Sequence, residues 1–237
     1  PIVNAINNGL NANNISKFMG IFNGTSNFIL SKMTHEQTTF KDALEEAQRL
    51  GFAEADPTDD VEGVDAARKV VITSYLSFNQ VIKLNDVKSV GISDITLADI
   101  NAANSLNYKI KLIGKGTYEN GYVNASVEPT LIHKNHQLAA VENEYNAIYV
   151  IGDAVGDTMF YGKGAGSLAT GSAVVSDLLN VALFFESNLH TLPPHFELKT
   201  EETKEMMDGA EPVVIQEKSN YYIVISNNNK SLEKVEY

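Results

Sequence analysis

The sequence contains no cysteine among its 237 residues. This absence excludes disulfide bonds, thiolate metal sites and a cysteine nucleophile. No apolar run approaches the roughly 18 residues that a membrane-spanning helix needs. No basic-then-apolar signal peptide opens the chain, so we expect a cytoplasmic protein without a membrane partner. Basic residues are the minority, 18 against 30 acidic residues. The resulting net charge of -12 argues against a nucleic-acid partner, because such a surface repels phosphates.

The chain is 43% hydrophobic and 20% charged, a composition that is ordinary for a globular protein. Its apolar residues recur at helical spacing in some segments and alternate with polar residues in others. The pattern predicts helices over 1–9, 25–33, 39–50, 61–78, 97–106 and 167–185. It predicts strands over 15–22, 108–118, 122–132, 146–151 and 157–161, with Asn120 and Gly121 as the turn of a hairpin. Strands and helices do not alternate regularly. We therefore expect an α+β fold with a mixed, largely antiparallel sheet and helices packed on one face.

Polar residues mark several of the predicted helix ends. Capping side chains are predicted at three helix starts, and they are Thr25 or Ser26, Thr39, and Asp59 or Asp60. Gly51 predicts the end of the helix over 39–50, because glycine readily takes the left-handed conformation that ends helices. In the helix that we expect to begin at Val61, the predicted apolar stripe includes Ile72 and Leu76.

An acidic stretch holds nine Asp or Glu and a single Arg between Asp42 and Asp65. One interpretation is a solvated helix face with a cluster of caps. The alternative is a site, because Asp65 and Lys69 are four residues apart and share a helix face at the edge of the apolar stripe. A half-buried lysine beside a carboxylate suits proton transfer. Arg68 is predicted to fall inside the same apolar stripe and could neutralise Asp60 or another acid of the loop. Several carboxylates around one lysine, Glu54 among them, would suit a zwitterionic ligand.

A glycine loop, Gly162-Lys163-Gly164-Ala165-Gly166, lies between a predicted strand and a predicted helix that Ser167 or Thr170 could cap. Glycines allow a ligand to approach the backbone closely, and a helix N-terminus favours anions. The loop matches neither the Walker pattern nor the dinucleotide fingerprint GxGxxG, so a simple tight turn remains the alternative. The polar turn 23–27 likewise either caps a helix or belongs to a site. We predict no metal site, because the five histidines are scattered.

Four stretches together resemble one family, homoserine dehydrogenase. They are GIFNGTSNFIL (20–30), GFAEADPTDDVEGVDAARK (51–69), GDTMFYGKGAG (156–166) and GSAVVSDLL (171–179). The second stretch resembles the signature of the family, and the match extends over residues 1–190. The resemblance implies an oxidoreductase of threonine and methionine biosynthesis that interconverts L-aspartate 4-semialdehyde and L-homoserine with NADPH or NADH.

The resemblance also implies roles for particular residues. Lys69 matches the proton donor of the family. The substrate-binding positions that it implies are Gly51, Glu54, Asp60 and Asp65, and the cofactor contacts are Gly164 and Gly166. Lys163 stands where the family usually has proline, which makes the loop less stiff or adds a cationic contact to NADPH.

The same resemblance predicts the organisation of the chain. It implies that residues 1–190 form a substrate-binding and dimerisation domain and that the protein is a homodimer. Residues 191–237 would form a linker and the truncated start of an ACT-like regulatory domain. The dinucleotide-binding domain and the ligands of a monovalent cation would lie upstream of Pro1. Two rival hypotheses are a dimerisation scaffold that is inactive as an isolated fragment and, less favoured, an amino-acid-binding regulatory module.

Overall fold

The computed structural model describes residues 2–186 of the chain. The helices are α1 (Ile2–Asn4, continued by a π-helical turn over Ala5–Gly9), α2 (Gly24–Glu36), α3 (Phe40–Arg49), α4 (Thr58–Val61), α5 (Val64–Phe78), α6 (Leu97–Ser105) and α7 (Ser167–Glu186). The strands are β1 (Ile15–Ile21), β2 (Lys88–Ser89), β3 (Tyr108–Glu119), β4 (Tyr122–His133), β5 (Tyr145–Gly152) and β6 (Gly156–Lys163). The linker and ACT-like segment predicted for 191–237 lie outside the described residues.

One six-stranded sheet with the strand order β2-β4-β3-β1-β5-β6 organises the molecule. Every neighbouring pair is antiparallel except the short β2, which runs parallel to β4. The β3–β4 hairpin turns at Asn120 and Gly121, whose positive φ angles of 52° and 87° suit the tight turn that the sequence predicts. The predicted α+β class with a mixed, largely antiparallel sheet is therefore confirmed.

The larger core lies between one face of the sheet and the helices. Phe18 of β1 is fully buried and stacks on Phe78 of α5 at a ring distance of 5.5 Å. Two glycines of β3 make room for this packing, since a Cβ on Gly114 would lie 2.5 Å from Val70 and one on Gly116 would lie 2.4 Å from Phe18. On the opposite face, a smaller cluster packs around Leu138 and Val141.

The local signals in the helices are partly confirmed and partly corrected. Thr39 caps α3, with the Asp42 amide donating to its side chain at 3.2 Å, and Gly51 follows α3 with φ 77°. The cap of α2 is Asn23 rather than Thr25 or Ser26, because the Asn23 side chain accepts from the Ser26 amide at 2.8 Å. Reaching three residues ahead from an extended backbone is the usual geometry of such a cap.

The helix predicted from Val61 begins later, at Val64. Gly63 takes the left-handed conformation, with φ 77°, and separates the short α4 from α5. Asp59 and Asp60 lie inside α4 and do not cap α5, so that prediction was wrong. The apolar stripe is also narrower than predicted, because Ile72 is 54% exposed. None of the helices within residues 2–186 is long and apolar enough to cross a membrane.

Candidate functional site

The predicted pair of Asp65 and Lys69 meets at the first turns of α5. The Lys69 ammonium donates to Asp65 Oδ2 at 2.6 Å. The side chains are 45% and 28% exposed for Lys69 and Asp65, so the pair is half-buried, as the sequence predicts. Lys69 also donates to the backbone carbonyl of Phe22 at 3.1 Å, just beyond the end of β1. The lysine is thereby held between its own helix and the sheet.

Asn23 joins the acidic loop to this pair. Its buried amide nitrogen donates to Asp60 Oδ1 at 2.6 Å and to Asp65 Oδ2 at 2.9 Å. Its oxygen accepts from the first turn of α2, so the cap of α2 also orients two carboxylates. The sequence places Asn23 in a polar turn that either caps a helix or belongs to a site, and the structure shows that it caps α2 and also holds the carboxylates of Asp60 and Asp65.

The loop that follows α3 reaches the same region through backbone contacts. Gly51 and Phe52 donate to carbonyls of the last turn of α3, the C-terminal arrangement that a left-handed glycine allows. Thr25 at the start of α2 donates to the Phe52 carbonyl at 2.6 Å, which ties this loop to the helix that Asn23 caps. Glu54 lies further along the loop with its side chain exposed. Its backbone carbonyl accepts a hydrogen bond from Gln48 at 3.0 Å. Among residues 2–186, no hydrogen bond joins the Glu54 carboxylate to Lys69.

Arg68 points away from the lysine. Its guanidinium lies 2.5 Å from Asp59, and both side chains are more than half exposed. The prediction that Arg68 pairs with an acid of the loop is confirmed for Asp59, but its place inside the apolar stripe was wrong.

The glycine loop lies next to the lysine through Asn146, near the start of β5. The Asn146 amide nitrogen donates to the Phe22 carbonyl at 3.0 Å, and this carbonyl also accepts from Lys69. Gly164 packs directly on Asn146, since a Cβ there would lie 2.4 Å from the amide nitrogen. Gly166 instead has φ 108° and open space where a Cβ would project. A ligand could therefore approach the backbone at Gly166, whereas Gly164 already has a packing role inside the protein.

Lys163 is engaged within the protein. Its ammonium lies 3.1 Å from Glu144 and 5.5 Å from the centre of the Tyr145 ring. The hydrogen bond from Lys163 to Glu144, together with the charge of that carboxylate, raises the pKa of the lysine. The loop entrance is thus fastened to β5. Neither Ser167 nor Thr170 caps α7, because Ser167 is its first residue and Thr170 donates its backbone amide to Gly166.

A second polar cluster, which the sequence analysis missed, anchors α2 one turn beyond its start. Lys111 of β3 is only 2% exposed and donates to Asn27, to the Val141 carbonyl and to Glu142 at 3.0, 2.6 and 3.2 Å. Asn27 in turn donates to three backbone carbonyls, those of Val141 and Asn143 before β5 and that of Tyr145 at its start. This cluster holds the helix of Asn23 against the strand of Asn146.

Burial and opposite charges act against each other in this second cluster. Burial lowers the pKa of Lys111 from 10.5 to about 8, although the charge and hydrogen bond of Glu142 oppose the shift. Burial alone would raise the pKa of Glu142. The ammonium of Lys111, with hydrogen bonds from Lys109 and Ser31, outweighs that effect and lowers the pKa to about 2. Both groups are therefore charged at neutral pH. Among residues 2–186, no three or more His, Asp or Glu side chains are grouped so that they could hold a metal ion.

Known protein sequences and structures resemble this chain. Residues 1–179 match the homoserine dehydrogenase family. The homoserine dehydrogenase of Bacillus subtilis is 53% identical over 181 residues, which are 76% of this chain and 42% of that protein. A crystal structure of S. aureus homoserine dehydrogenase has 86% identity and a TM-score of 0.72 over 82% of this chain and 48% of that one.

A more distant solved structure is a hyperthermophilic archaeal homoserine dehydrogenase mutant in complex with NADPH. It is 28% identical, with a TM-score of 0.64 over 77% of this chain and 52% of that one. The chain thus spans about half the length of these relatives. The family match covers well over half of the chain, which therefore belongs to the homoserine dehydrogenase family.

Proposed function

We propose that this chain is the substrate-binding and dimerisation part of a longer, cytoplasmic homoserine dehydrogenase. The full-length enzyme would interconvert L-aspartate 4-semialdehyde and L-homoserine with NADPH or NADH, a step toward threonine and methionine. The observation that carries the proposal is the network of Lys69, Asp65, Asn23 and Asp60 in a chain of this family.

Lys69 is the proposed proton donor. A lysine ammonium has three N–H donors, and Asp65 and the Phe22 carbonyl accept two of them here. Within residues 2–186 the third has no partner, so it is available for the aldehyde oxygen of the substrate. A bound reduced nicotinamide would supply the hydride for the new C–H bond. Lys69 gives a proton to the oxygen, so the aldehyde becomes an alcohol, and in the reverse direction Lys69 takes that proton back.

The acids around Lys69 are the proposed binding site for the amino-acid part of the substrate. Asp60 and Asp65 meet at Asn23, and a carboxylate binds an α-ammonium group through short, charge-assisted hydrogen bonds. Glu54 lies in the loop that Thr25 ties to α2, and Gly51 opens that loop. We expect the Glu54 carboxylate to contact the substrate ammonium and the Gly51 backbone to complete the pocket.

The glycine loop is the proposed contact for the cofactor. The open space and positive φ at Gly166 would allow the backbone to approach a nicotinamide nucleotide closely. Gly164 would act by holding the loop on Asn146. The archaeal relative in complex with NADPH supports a nicotinamide cofactor. A monovalent cation would bind to residues outside this chain.

The proposed assembly is a homodimer. β6 lies at one edge of the sheet, and an unpaired edge is open to pairing with another chain. Tyr161 on this strand is 57% exposed, and Val155 in the turn before it is 49% exposed. The rival hypothesis is that the isolated chain is only a dimerisation scaffold. It shares with the proposed function the expectation that the isolated chain shows no turnover. Turnover by the isolated chain would contradict the scaffold hypothesis, and no turnover by the full-length protein would contradict the proposed enzyme.

The proton-donor role is tested by Lys69→Ala in the full-length protein. We expect kcat to fall by about 100-fold or more, because general acid catalysis contributes that much. Lys41→Ala is the matched control, since Lys41 is 83% exposed on α3 and pairs only loosely with Glu45 at 3.9 Å. A Lys69→Ala protein with near-normal kcat and a normal circular dichroism spectrum would contradict the proposal.

A further inference from the structure

Asn146 occupies an unusual position between the two halves of the candidate site. Its amide nitrogen donates to the Phe22 carbonyl, which also holds the Lys69 ammonium. Gly164 of the glycine loop rests on the same amide group, and β6 places Gly162 opposite Asn146 in the sheet. A single side chain thus touches both the support of the proposed proton donor and the proposed cofactor loop.

This position has an energetic cost within the protein. The oxygen Oδ1 of Asn146 is buried and has no hydrogen-bond partner among residues 2–186. Asparagine is also a poor strand former. The buried Asn27 shows the contrast, because its oxygen accepts from Lys111 and its nitrogen donates to three carbonyls. A buried carbonyl without a partner is destabilising, and such groups concentrate where function requires them.

The hydrogen bond to Phe22 explains why the amide does not turn to satisfy its oxygen. The amide nitrogen faces the Phe22 carbonyl, so a flip would bring two carbonyl oxygens together. Gly164 lies close against the amide, because a Cβ there would lie only 2.4 Å from its nitrogen, whereas a Cβ on Gly24 would merely touch Oδ1 at 3.4 Å. The amide nitrogen of Asn146 therefore keeps its hydrogen bond to the Phe22 carbonyl, while the amide oxygen has no partner among residues 2–186.

The geometry points to Asn146 as a positioning residue that keeps Lys69 and the glycine loop at a fixed distance from each other. This inference rests on the proposed function. Asn146 keeps the Phe22 carbonyl in place for the Lys69 ammonium, and its amide sets how far Gly164 can approach. The proton donor and the cofactor loop then stay at a constant separation. This is required because the hydride and the proton are transferred to the same C=O group.

Two variants of the full-length protein separate the donor from the shape of the side chain. Asn146→Asp keeps the shape but turns a carboxylate toward the Phe22 carbonyl, and Asn146→Ala removes both shape and donor. We expect each to lower kcat by about 10-fold or more, because small displacements of reacting groups are costly. We expect KM for homoserine to stay within about 2-fold, because Asn23, Asp60 and Asp65 are not touched.

A double-mutant cycle with Gly164→Ala tests the link to the loop. The added methyl group collides with Asn146 but fits the space that Asn146→Ala leaves. Gly164→Ala should therefore lower kcat by about 10-fold alone and by less than about 2-fold in the Asn146→Ala background, a clear departure from additivity. Additive effects would overturn the inferred link.

A readout without turnover keeps this inference distinct from the proposed function. Acetic anhydride labels lysines, and mass spectrometry gives the labelling of Lys69 relative to Lys41. This ratio should rise in Asn146→Ala, which adds no charge near the lysine, because the ammonium loses its fixed carbonyl. If the unmodified protein does not oxidise homoserine, the proposed function fails and the labelling ratio alone decides on positioning. An unchanged ratio, a normal kcat in both variants, or a change in homoserine KM alone would each overturn the role of Asn146.

Discussion

Glu142→Gln should destabilise the protein strongly, because Glu142 neutralises two lysines at the buried side of α2. Its carboxylate pairs with Lys109 and lies 3.2 Å from the fully buried Lys111. The variant keeps the size of the side chain but leaves the Lys111 ammonium in a low-dielectric environment without a counter-charge. Removing one partner of a buried pair is costly for this reason.

The lowered pKa of Glu142 provides the magnitude. A fall from 4.5 to about 2, at about 1.4 kcal/mol for each pH unit, gives an upper value of about 3 kcal/mol. The side chain is still 22% exposed, so solvent screening reduces the expected loss in free energy of unfolding to about 1–3 kcal/mol. The stabilisation is fully present above pH 4.5 and is lost as the pH falls toward 2, where the folded protein also binds the proton.

The assay is urea unfolding of both proteins at pH 7, 5 and 3 and at equal protein concentration. The difference between them should be smaller at pH 3 than at pH 5, because the Glu142 carboxylate begins to lose its charge there. Glu45→Gln is the control, because Glu45 is 64% exposed, and its loss should cost less than about 0.5 kcal/mol. A Glu142→Gln protein as stable as this control, or a difference that does not shrink at pH 3, would refute the reasoning.

Three further outcomes are expected. Glu54→Gln in the full-length protein should raise KM for homoserine by about 5- to 150-fold, because it loses one charge-assisted hydrogen bond of roughly 1–3 kcal/mol. KM for the cofactor should change little. A raised cofactor KM with an unchanged homoserine KM would contradict the proposed contact of Glu54 with the substrate. Light scattering should give a dimer mass at micromolar concentration that Tyr161→Asp lowers, and a monomer mass for the unmodified protein would count against the proposed assembly. Gly114→Ala should cost roughly 1–3 kcal/mol of unfolding free energy, because the new Cβ would lie 2.5 Å from Val70 and 2.7 Å from Phe22. The control Gly9→Ala should cost less than about 0.5 kcal/mol, because among residues 2–186 no atom lies within 4 Å of a Cβ there and its backbone is not left-handed.

Local signals in the sequence determined the elements that depend on neighbouring residues. The Thr39 cap, the Gly51 stop and the hairpin turn at Asn120 are confirmed, because each depends on backbone geometry within a few residues. The contact of Asp65 with Lys69 is confirmed for the same reason, since a spacing of four residues places two side chains together on any helix.

Local signals failed where two adjacent features compete. The sequence predicts one helix from Val61, but the left-handed backbone at Gly63 interrupts it. Thr25 and Ser26 are both good capping residues, yet Asn23 precedes them with the extended backbone that a cap needs. A pattern of residue types indicates that a helix begins or ends nearby, but the backbone conformation determines at which residue.

Tertiary structure alone decided how the site is supported. Asn23 reaches Asp60 and Asp65 across 37 and 42 residues, and Asn146 reaches the Phe22 carbonyl across 124. Lys111 and Glu142 become a buried pair only because β3 and the segment before β5 meet at α2. No spacing rule links residues so far apart, because the fold of the intervening chain sets their distance. Sequence patterns therefore identified Lys69 as a candidate, and only the packed sheet and helices determined what holds it in place.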